Sequence, residues 1–452
     1  MLNIQSDSRK IKKGDIFVAV KCEVNDGHEY IDKAIEAGAS KIVAERGNYS
    51  IETEIVPDSR EYLNNYLEKN YNKYLDEMTI IGITGTNGKT TSAYLTYQAL
   101  NKLGIKAAYI GTIGFYMDKK VKSLPNTSVD ICDTYDLIMQ AYDNDYKCVI
   151  LETSSHALYN GRLKTIKFDF AVFTNLTQDH LDFHKTMDNY ALAKQILFKM
   201  LKENGKAIIN IDDSYKDYFM LKENNNITYG EKGNYSFKNY KSDINGLSFD
   251  LIKDNNTYKI NSKLMGKYNV YNLLVMISIL NNMNISLDKI VNIIPELNAP
   301  DGRIDTVDYK NNKIIIDYAH TPDAIEKVMN AVETDGKKYV VFGCTGDRDR
   351  LKRPIMGKIV SEKADYFIIT DDDPHNEDEM QIVNDILKGN NFTNYEVCID
   401  RKEAIKKGIN LLKENDILFI LGKGHEEYII KGKDRIPHND KEEVLKYVEN
   451  VN

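Results

Sequence analysis

Apolar residues in this chain gather in short, nearly unbroken runs, separated by longer stretches where they recur every three to four positions. The first pattern belongs to strands buried on both faces, the second to helices with one buried side. Strand-like runs at 14–20 and 41–44 flank a helical stretch at 30–37, and a polar, tyrosine-rich helix is expected over 61–77. From there the alternation becomes regular, with strands expected at 78–84, 107–111, 147–152, 170–174 and 206–211 and a helix over 90–103. Such alternation predicts a parallel sheet with helices on both faces. Residues 213–262, rich in Asn, Lys and Tyr, read as a small polar β excursion, and helical spacing returns at 269–283. The turn Ala299-Pro300-Asp301-Gly302-Arg303 marks a boundary. A second α/β series follows, with strands at 313–318, 339–343, 366–370 and 417–422. Its helix at 322–332 has Thr321 as N-cap and Pro322 in the first helical position.

One of these strands runs into unusual chemistry. Ile80 to Thr91 reads I-I-G-I-T-G-T-N-G-K-T-T, an apolar strand, a glycine-threonine loop and a helix start. Gly82, Gly85 and Gly88 allow the tight turn that aims backbone N–H groups at phosphate oxygens; Lys89 adds charge and Thr90 a hydroxyl for magnesium. Ile83 occupies the place of the first glycine in the stricter G-x-x-x-x-G-K-[ST] pattern, so this is a narrower variant. Glu152 and the segment Thr174 to His184 also follow buried strands, at the strand ends where open α/β sheets bind ligands. His180 and His184 stand four apart, but without the glutamate of a zinc helix; oxygen ligands plus one imidazole around magnesium suit phosphoryl transfer better.

Composition narrows the field. With 452 residues, about three domains are expected. Lys+Arg of 60 against Asp+Glu of 68 leaves a net charge of −8, and no basic stripe asks for nucleic acid. The polar start lacks a signal-peptide core, and the run 273–280 is far shorter than the ~20 residues of a bilayer span. The five cysteines form no C-x-x-C pair, so free thiols in a reducing cytoplasm are expected, with no membrane insertion and no zinc ribbon. The chain is read as α/β with three domains: 1–77, a small N-terminal α/β domain; 78–301, a central parallel-sheet phosphate-loop domain; and 302–452, a Rossmann-like α/β domain.

What these domains bind is implied by a resemblance. Gly85-Thr-Asn-Gly-Lys-Thr-Thr91, Glu152-Thr-Ser-Ser-His156, Thr174-Asn-Leu-Thr-Gln-Asp-His-Leu-Asp182 and Tyr190-Ala-Leu-Ala-Lys194 resemble Mur ligases. So do Asn269-Val-Tyr-Asn272, Asp317-Tyr-Ala-His-Thr-Pro-Asp323, Gly346-Asp-Arg-Asp349 and Gly422-Lys-Gly-His-Glu426. Their order is most similar to the members that add the third peptide residue to UDP-N-acetylmuramoyl-L-Ala-D-Glu, and Asp7-Ser-Arg9, Lys13-Gly-Asp15 and Asp26-Gly-His28 fit that type. The resemblance implies an ATP-dependent ligase working through an acyl phosphate, two magnesium ions, and a CO2-derived carbamate on Lys194. It implies Lys89, Lys194 and His180 as catalytic residues and Thr90, Glu152, His180 and Lys194 as metal-site residues. ATP would meet Gly85, Thr86, Asn87, Gly88, Lys89, Thr90, Thr91, Asn269, Asn272, Arg303, Asp317 and His320. The UDP-muramoyl dipeptide would meet Ser8, Arg9, Asn126, Thr127, Ser128, Thr153, Ser154, Ser155, His156 and Arg162. Arg348, Asp372, Asp373, His375, Gly422 and Glu426 would receive the free amino acid, and the enzyme is expected to be a monomer.

The identity of that amino acid turns on Asp371-Asp372-Asp373-Pro374-His375. Members adding meso-diaminopimelate carry Asp-Asn-Pro-Arg there, whose arginine grips the distal carboxylate. His375 is shorter and largely neutral, and the acidic residues favour a cationic end, so L-lysine or another basic amino acid is the leading expectation. The alternative is diaminopimelate or a related diamino diacid, with Arg348 or Arg353 supplying the charge. A non-catalytic ATP-binding partner protein is the reading from another class. Glu152, His180 and Lys194 together argue against it.

Overall fold

A computed structural model describes residues 2–21, 25–243 and 246–451. Three sheets of a doubly layered α/β kind follow one another along the chain. The first holds four parallel strands in sequence order, Ile4–Gln5, Ile16–Val18, Lys41–Ala44 and Glu52–Ile55. The polar helix then spans Ser59–Leu75, two residues earlier at each end than its tyrosine pattern predicts. Its start is set by Asp58, whose carboxylate accepts from Glu61 N at 2.8 Å and satisfies one of the free N–H groups of the first turn.

The central sheet has eight strands. Six are parallel, in the order Asn225–Tyr229, Leu201–Asn210, Phe168–Phe173, Thr79–Thr84, Cys148–Glu152 and Ala107–Gly111. Two short antiparallel strands, Gly114–Tyr116 and Lys120–Lys122, extend the last edge. Leu63, Tyr135 and Leu197 pack on one face; Leu95, Leu273 and Ile277 pack on the other. The register pairs Ile83 with Glu152 and Thr84 with Phe173, so the loops that follow these strands leave from one tip of the sheet. The expected polar excursion divides: Asn225–Tyr229 joins the central sheet, while Ser236–Asp243, Gly246–Lys253 and Asn256–Ser262 form a separate antiparallel sheet.

The third sheet runs Asp305–Tyr309, Asn312–Asp317, Ile417–Leu421, Lys338–Phe342, Tyr366–Ile369 and Tyr395–Val397, parallel except for its first strand. Helix Pro322–Asn330 begins at Thr321, whose hydroxyl accepts from Ala324 N at 3.3 Å. Between the second and third units, Asn298 exchanges two hydrogen bonds with Gln98, at 2.7 and 3.3 Å. Gly302, with φ of +69°, lies so close to Gly424 and His425 that a Cβ would strike their backbone. Cys132, Cys148 and Cys344 are buried free thiols and Cys398 is half-buried and free; Cys22 lies outside the described residues. No helix among the described residues is long and apolar enough to cross a membrane.

Candidate active site between the central and third domains

The phosphate loop is held by the neighbouring strand end. Thr86 N donates to Asn175 O at 2.8 Å, Asn87 N to Asn175 Oδ1 at 2.9 Å, and Thr174 Oγ1 to Asn87 O at 2.7 Å. A Cβ on Gly85 would run into Thr174 Oγ1, and one on Gly88, at φ of +84°, would sit 2.6 Å from Asn272 Oδ1. Glycine is required at both places by contact and by backbone conformation, with φ of +147° at Gly85 and +84° at Gly88. Gly88 caps helix Lys89–Lys102, whose first N–H groups and dipole face the loop and favour an anion. Thr91 lines the adjoining cavity.

Two lysines converge on this loop. Lys89 Nζ donates to Gly85 O at 2.8 Å and Thr86 O at 2.9 Å, and Lys194 Nζ donates to Gly85 O at 2.8 Å. Lys194 is 1% exposed and lies 4.6 Å above the Tyr190 ring. Burial pulls both ammonium groups below their ordinary range, Lys194 most strongly because the Lys89 charge adds to it.

Glu152 is 1% exposed at the end of its strand. Thr90 Oγ1 donates to its Oε2 at 2.9 Å and Thr112 N to its Oε1 at 2.9 Å, while Tyr109 donates to Oε1 as well. His180 sits in a left-handed conformation, φ of +54°, with its ring 4.8 Å from that of His156. Burial pushes His180 down to about 3, so its imidazole is neutral and able to ligate a metal. His184 is 4% exposed; its Nε2 meets Ser155 Oγ at 2.9 Å and its ring stacks on Tyr190. The pair four residues apart is therefore one candidate ligand and one core histidine.

The substrate-side residues separate by exposure. Ser128 Oγ donates to Glu152 O at 2.8 Å and accepts from Ser154 N at 2.9 Å, while Arg162 reaches Ser128 O at 3.4 Å. Thr127 meets Thr112 hydroxyl to hydroxyl at 3.1 Å, Ser155 and His156 adjoin His184 and His180, and Asn126 is exposed. Thr153 is completely buried and its hydroxyl is engaged with Ile83 O, so its side chain presents nothing to a ligand. On the first sheet Ser8 is buried, whereas Arg9 is 86% exposed and doubly bonded to Asp7.

A cavity of about 550 Å³ opens between the loop and the third domain. Asn87, Gly88, Asn272, Tyr268, Arg303 and Asp317 are among its lining residues. Asn269 and Asn272 form a buried amide chain: Asn272 Nδ2 donates to Asn269 Oδ1 at 2.8 Å, and Ser92 Oγ donates to Asn272 Oδ1 at 3.0 Å. Asp317 accepts from Ile304 N and Ala319 N, both at 2.7 Å, and so shapes the loop that carries its neighbours. Arg303 Nε and the Tyr268 hydroxyl are buried without a hydrogen-bond partner, and both residues line the cavity, with the Arg303 guanidinium 4.7 Å over the Tyr318 ring. His320, half-buried and pushed down to about 4 by burial, bonds Tyr318 O at 2.8 Å and is not part of the cavity wall. Asn87 Nδ2 donates to Asp323 Oδ2 at 2.7 Å, joining the loop directly to the third domain.

The amino-acid side departs from the expectation of a free acidic patch. Lys423, fully buried, places Nζ 2.7 Å from Asp373, 2.5 Å from Glu426 and 3.8 Å from Asp372. Asp373 also accepts from Ile430 N at 2.7 Å. Arg353, one of two arginines expected to supply a charge, is fully buried and locked to Glu377, Asp385 and Thr345 O. Arg348 is exposed, and its charge is felt at His156 across the cleft. His375, at φ of +51°, is held by backbone bonds to Ile430 and Gly432, and Gly422 N donates to Asp317 O at 3.0 Å. Tyr109, Thr112, Lys423 and Asp323 were not singled out by sequence. Only Lys423 and Asp323 lie inside recognisable motifs, and the partners that matter most here, Asp373 and Asn87, are far away in the chain.

Known proteins share this architecture. Residues 2–80 match the Mur ligase family catalytic domain, 83–280 the Mur ligase middle domain and 302–424 the Mur ligase glutamate ligase domain. A UDP-N-acetylmuramoyl-L-alanyl-D-glutamate–2,6-diaminopimelate ligase of Clostridium botulinum is 41% identical over 98% of this chain and 94% of its own. The Aquifex aeolicus ligase of the same name is 38% identical over 94% of this chain and 89% of its own. A solved structure of a ligase so named covers 100% of this chain and 95% of its own at 29% identity, with a TM-score of 0.70. The MurF ligase of Thermotoga maritima, solved with ADP, shares the fold at 20% identity over 99% of this chain and 97% of its own, with a TM-score of 0.72. With similarity running from end to end through all three units, the chain belongs to the Mur ligase family of ATP-dependent, amide-forming ligases of peptidoglycan precursor synthesis.

Proposed function

We propose that this chain joins 2,6-diaminopimelate to UDP-N-acetylmuramoyl-L-alanyl-D-glutamate, the compounds in the names of its relatives. The observation that carries the reading is the gathering of Glu152 and Lys194 around the phosphate loop, whose Asn87 and Gly88 line a cavity shared with the third domain. A carboxylate is a poor acyl donor, so it must first take the γ-phosphoryl group of ATP to become an acyl phosphate, which the incoming amine then attacks. Lys89 and the amide groups at the start of its helix hold the phosphates and offset charge on the transferred group. Ser128, Ser154, His156 and Arg162 bind and orient the dipeptide end, with Ser8 and Arg9 toward the uridine. Asn269, Asn272, Arg303 and Asp317 serve the nucleoside side, with the third domain excluding water.

The donor set fits magnesium: hydroxyl and carboxylate oxygens at Thr90 and Glu152, with a neutral imidazole at His180. Thr90 and Glu152 would hold one ion, and Glu152 with His180 a second. When bound, they supply positive charge beside the phosphoryl group. Lys194 as an ammonium would repel that second ion, while its CO2-derived carbamate is anionic. Burial favours the neutral amine, the form that adds CO2.

The leading expectation of L-lysine is weakened, because two of the three acidic residues that favoured a cation already face Lys423, Asp373 at 2.7 Å and Asp372 at 3.8 Å. Diaminopimelate is the better supported of the two, with Arg348 the available cation for its distal carboxylate. Phosphate release with the UDP-muramoyl dipeptide, comparing diaminopimelate, lysine and ornithine, tests this. Diaminopimelate is expected to be fastest, and EDTA to abolish turnover with each; faster lysine turnover overturns the assignment.

A further inference from the structure

The two oxygens of Glu152 are held by different kinds of donor. Oε1 accepts from the backbone N–H of Thr112 at 2.9 Å and from the hydroxyl of Tyr109, a residue with no exposed surface. Oε2 accepts from the hydroxyls of Thr90 and Thr112, at 2.9 and 3.1 Å. A threonine hydroxyl hydrogen can rotate away and expose its oxygen as a further ligand. A backbone N–H cannot turn aside, and the Tyr109 oxygen, which also accepts from Ile113 N at 3.5 Å, has its hydrogen left for Glu152.

The ring of Tyr109 is fixed. It lies 6.1, 6.4 and 5.7 Å from those of Tyr94, Tyr97 and Tyr116, at angles between 57 and 84°. Tyr94 and Tyr97 stand on the helix that begins at the phosphate loop, so that helix and the Tyr109 strand share one aromatic contact set. Gly111 completes the cradle: a Cβ there would collide with both Glu152 Oε1 and the Tyr109 oxygen.

We infer that Tyr109 is a positioning residue for the metal-binding carboxylate: its hydroxyl reserves Oε1 of Glu152 and leaves Oε2 as the oxygen offered to a divalent cation. The inference rests on the proposed role of Glu152 as a magnesium ligand. Partners that orient a ligand from behind typically change metal affinity by about 10- to 100-fold when removed.

Mn2+ binding in the presence of a non-hydrolysable ATP analogue, followed by electron paramagnetic resonance, tests it. Tyr109→Phe keeps the ring and removes only the hydroxyl; its Mn2+ affinity is expected to fall about 10-fold. The Mg2+ concentration for half-maximal phosphate release should rise in parallel, without change in KM for the amino acid. Tyr94→Phe, which removes a hydroxyl from the same aromatic cluster, is expected to bind Mn2+ like the parent. Gly111→Ala, crowding the same pair of atoms, is expected to weaken binding in the same direction as Tyr109→Phe. Parent-like Mn2+ affinity in Tyr109→Phe, with weak binding in Glu152→Gln, overturns the role of Tyr109 alone. Parent-like affinity in Glu152→Gln as well removes Glu152 from the metal site, and both readings fall.

Discussion

Lys194 concentrates the chemistry of single residues. Its sequence context announced a lysine near a nucleotide, but only the fold shows it 1% exposed and beside a second ammonium donor on the same carbonyl. Lys194→Ala is expected to lower turnover at least ~100-fold, with formate or acetate restoring part of it by standing in for a carbamate. Phosphate release measures both, and full activity in the variant refutes the assignment. Glu426 gives a pH signature. Burial, opposed by Lys423, raises it to about 7, so its anionic form grows as pH rises through that value. KM for the amino acid should therefore fall across pH 7 while KM for ATP stays level, and Glu426→Gln should flatten the profile. Because the folded value is raised, the stability that Glu426 contributes is present below the ordinary carboxylate range and lost as pH climbs through 7. Lys423 lies in the Gly422–Glu426 motif beside its partner Glu426, but its pairing with Asp373, 50 residues away, had no readable signature.

Elements were legible where burial was two-sided. The continuous apolar runs at 79–84, 148–152, 338–342 and 417–421 are interior parallel strands, and nothing but a strand fits runs so short beside glycine turns. Gly114–Tyr116, Lys120–Lys122, Tyr428–Lys431 and Asp434–Pro437 escaped notice because they are short, their pairing set by antiparallel neighbours rather than by an apolar pattern; all but the first are also at least partly exposed. Helix Pro322–Asn330 was readable from its cap, and it carries Ala324, Lys327 and Val328 into the cavity wall. Thr321→Ala is expected to cost about 1 kcal/mol by leaving the Ala324 N–H without its acceptor. Thermal unfolding should register that loss together with a higher KM for ATP; an unchanged KM would separate the cap from the nucleotide site.

At the scale of the molecule, what sequence did not convey is how the three units face one another. Asn87 and Asp323 lie 236 positions apart, yet their 2.7 Å hydrogen bond joins the phosphate loop to the first turn of a third-domain helix. Asp323→Ala is expected to give a larger radius of gyration than the parent without nucleotide, by small-angle scattering, and a KM for ATP raised several-fold. Equal radii would show that this bond does not hold the domains together.

The fixed ends of the connection between these units limit how they can swing. Asn298 is stapled to Gln98 on one side, and Gly302 is wedged against Gly424 and His425 on the other. Any pivot must then use the torsions of Ala299, Pro300 and Asp301, one of which the proline ring locks. So short a hinge confines the third domain to a narrow arc. A swinging gate of this kind carries Gly302 and the Gly424–His425 turn along as one piece, returning them to the same seat on every stroke.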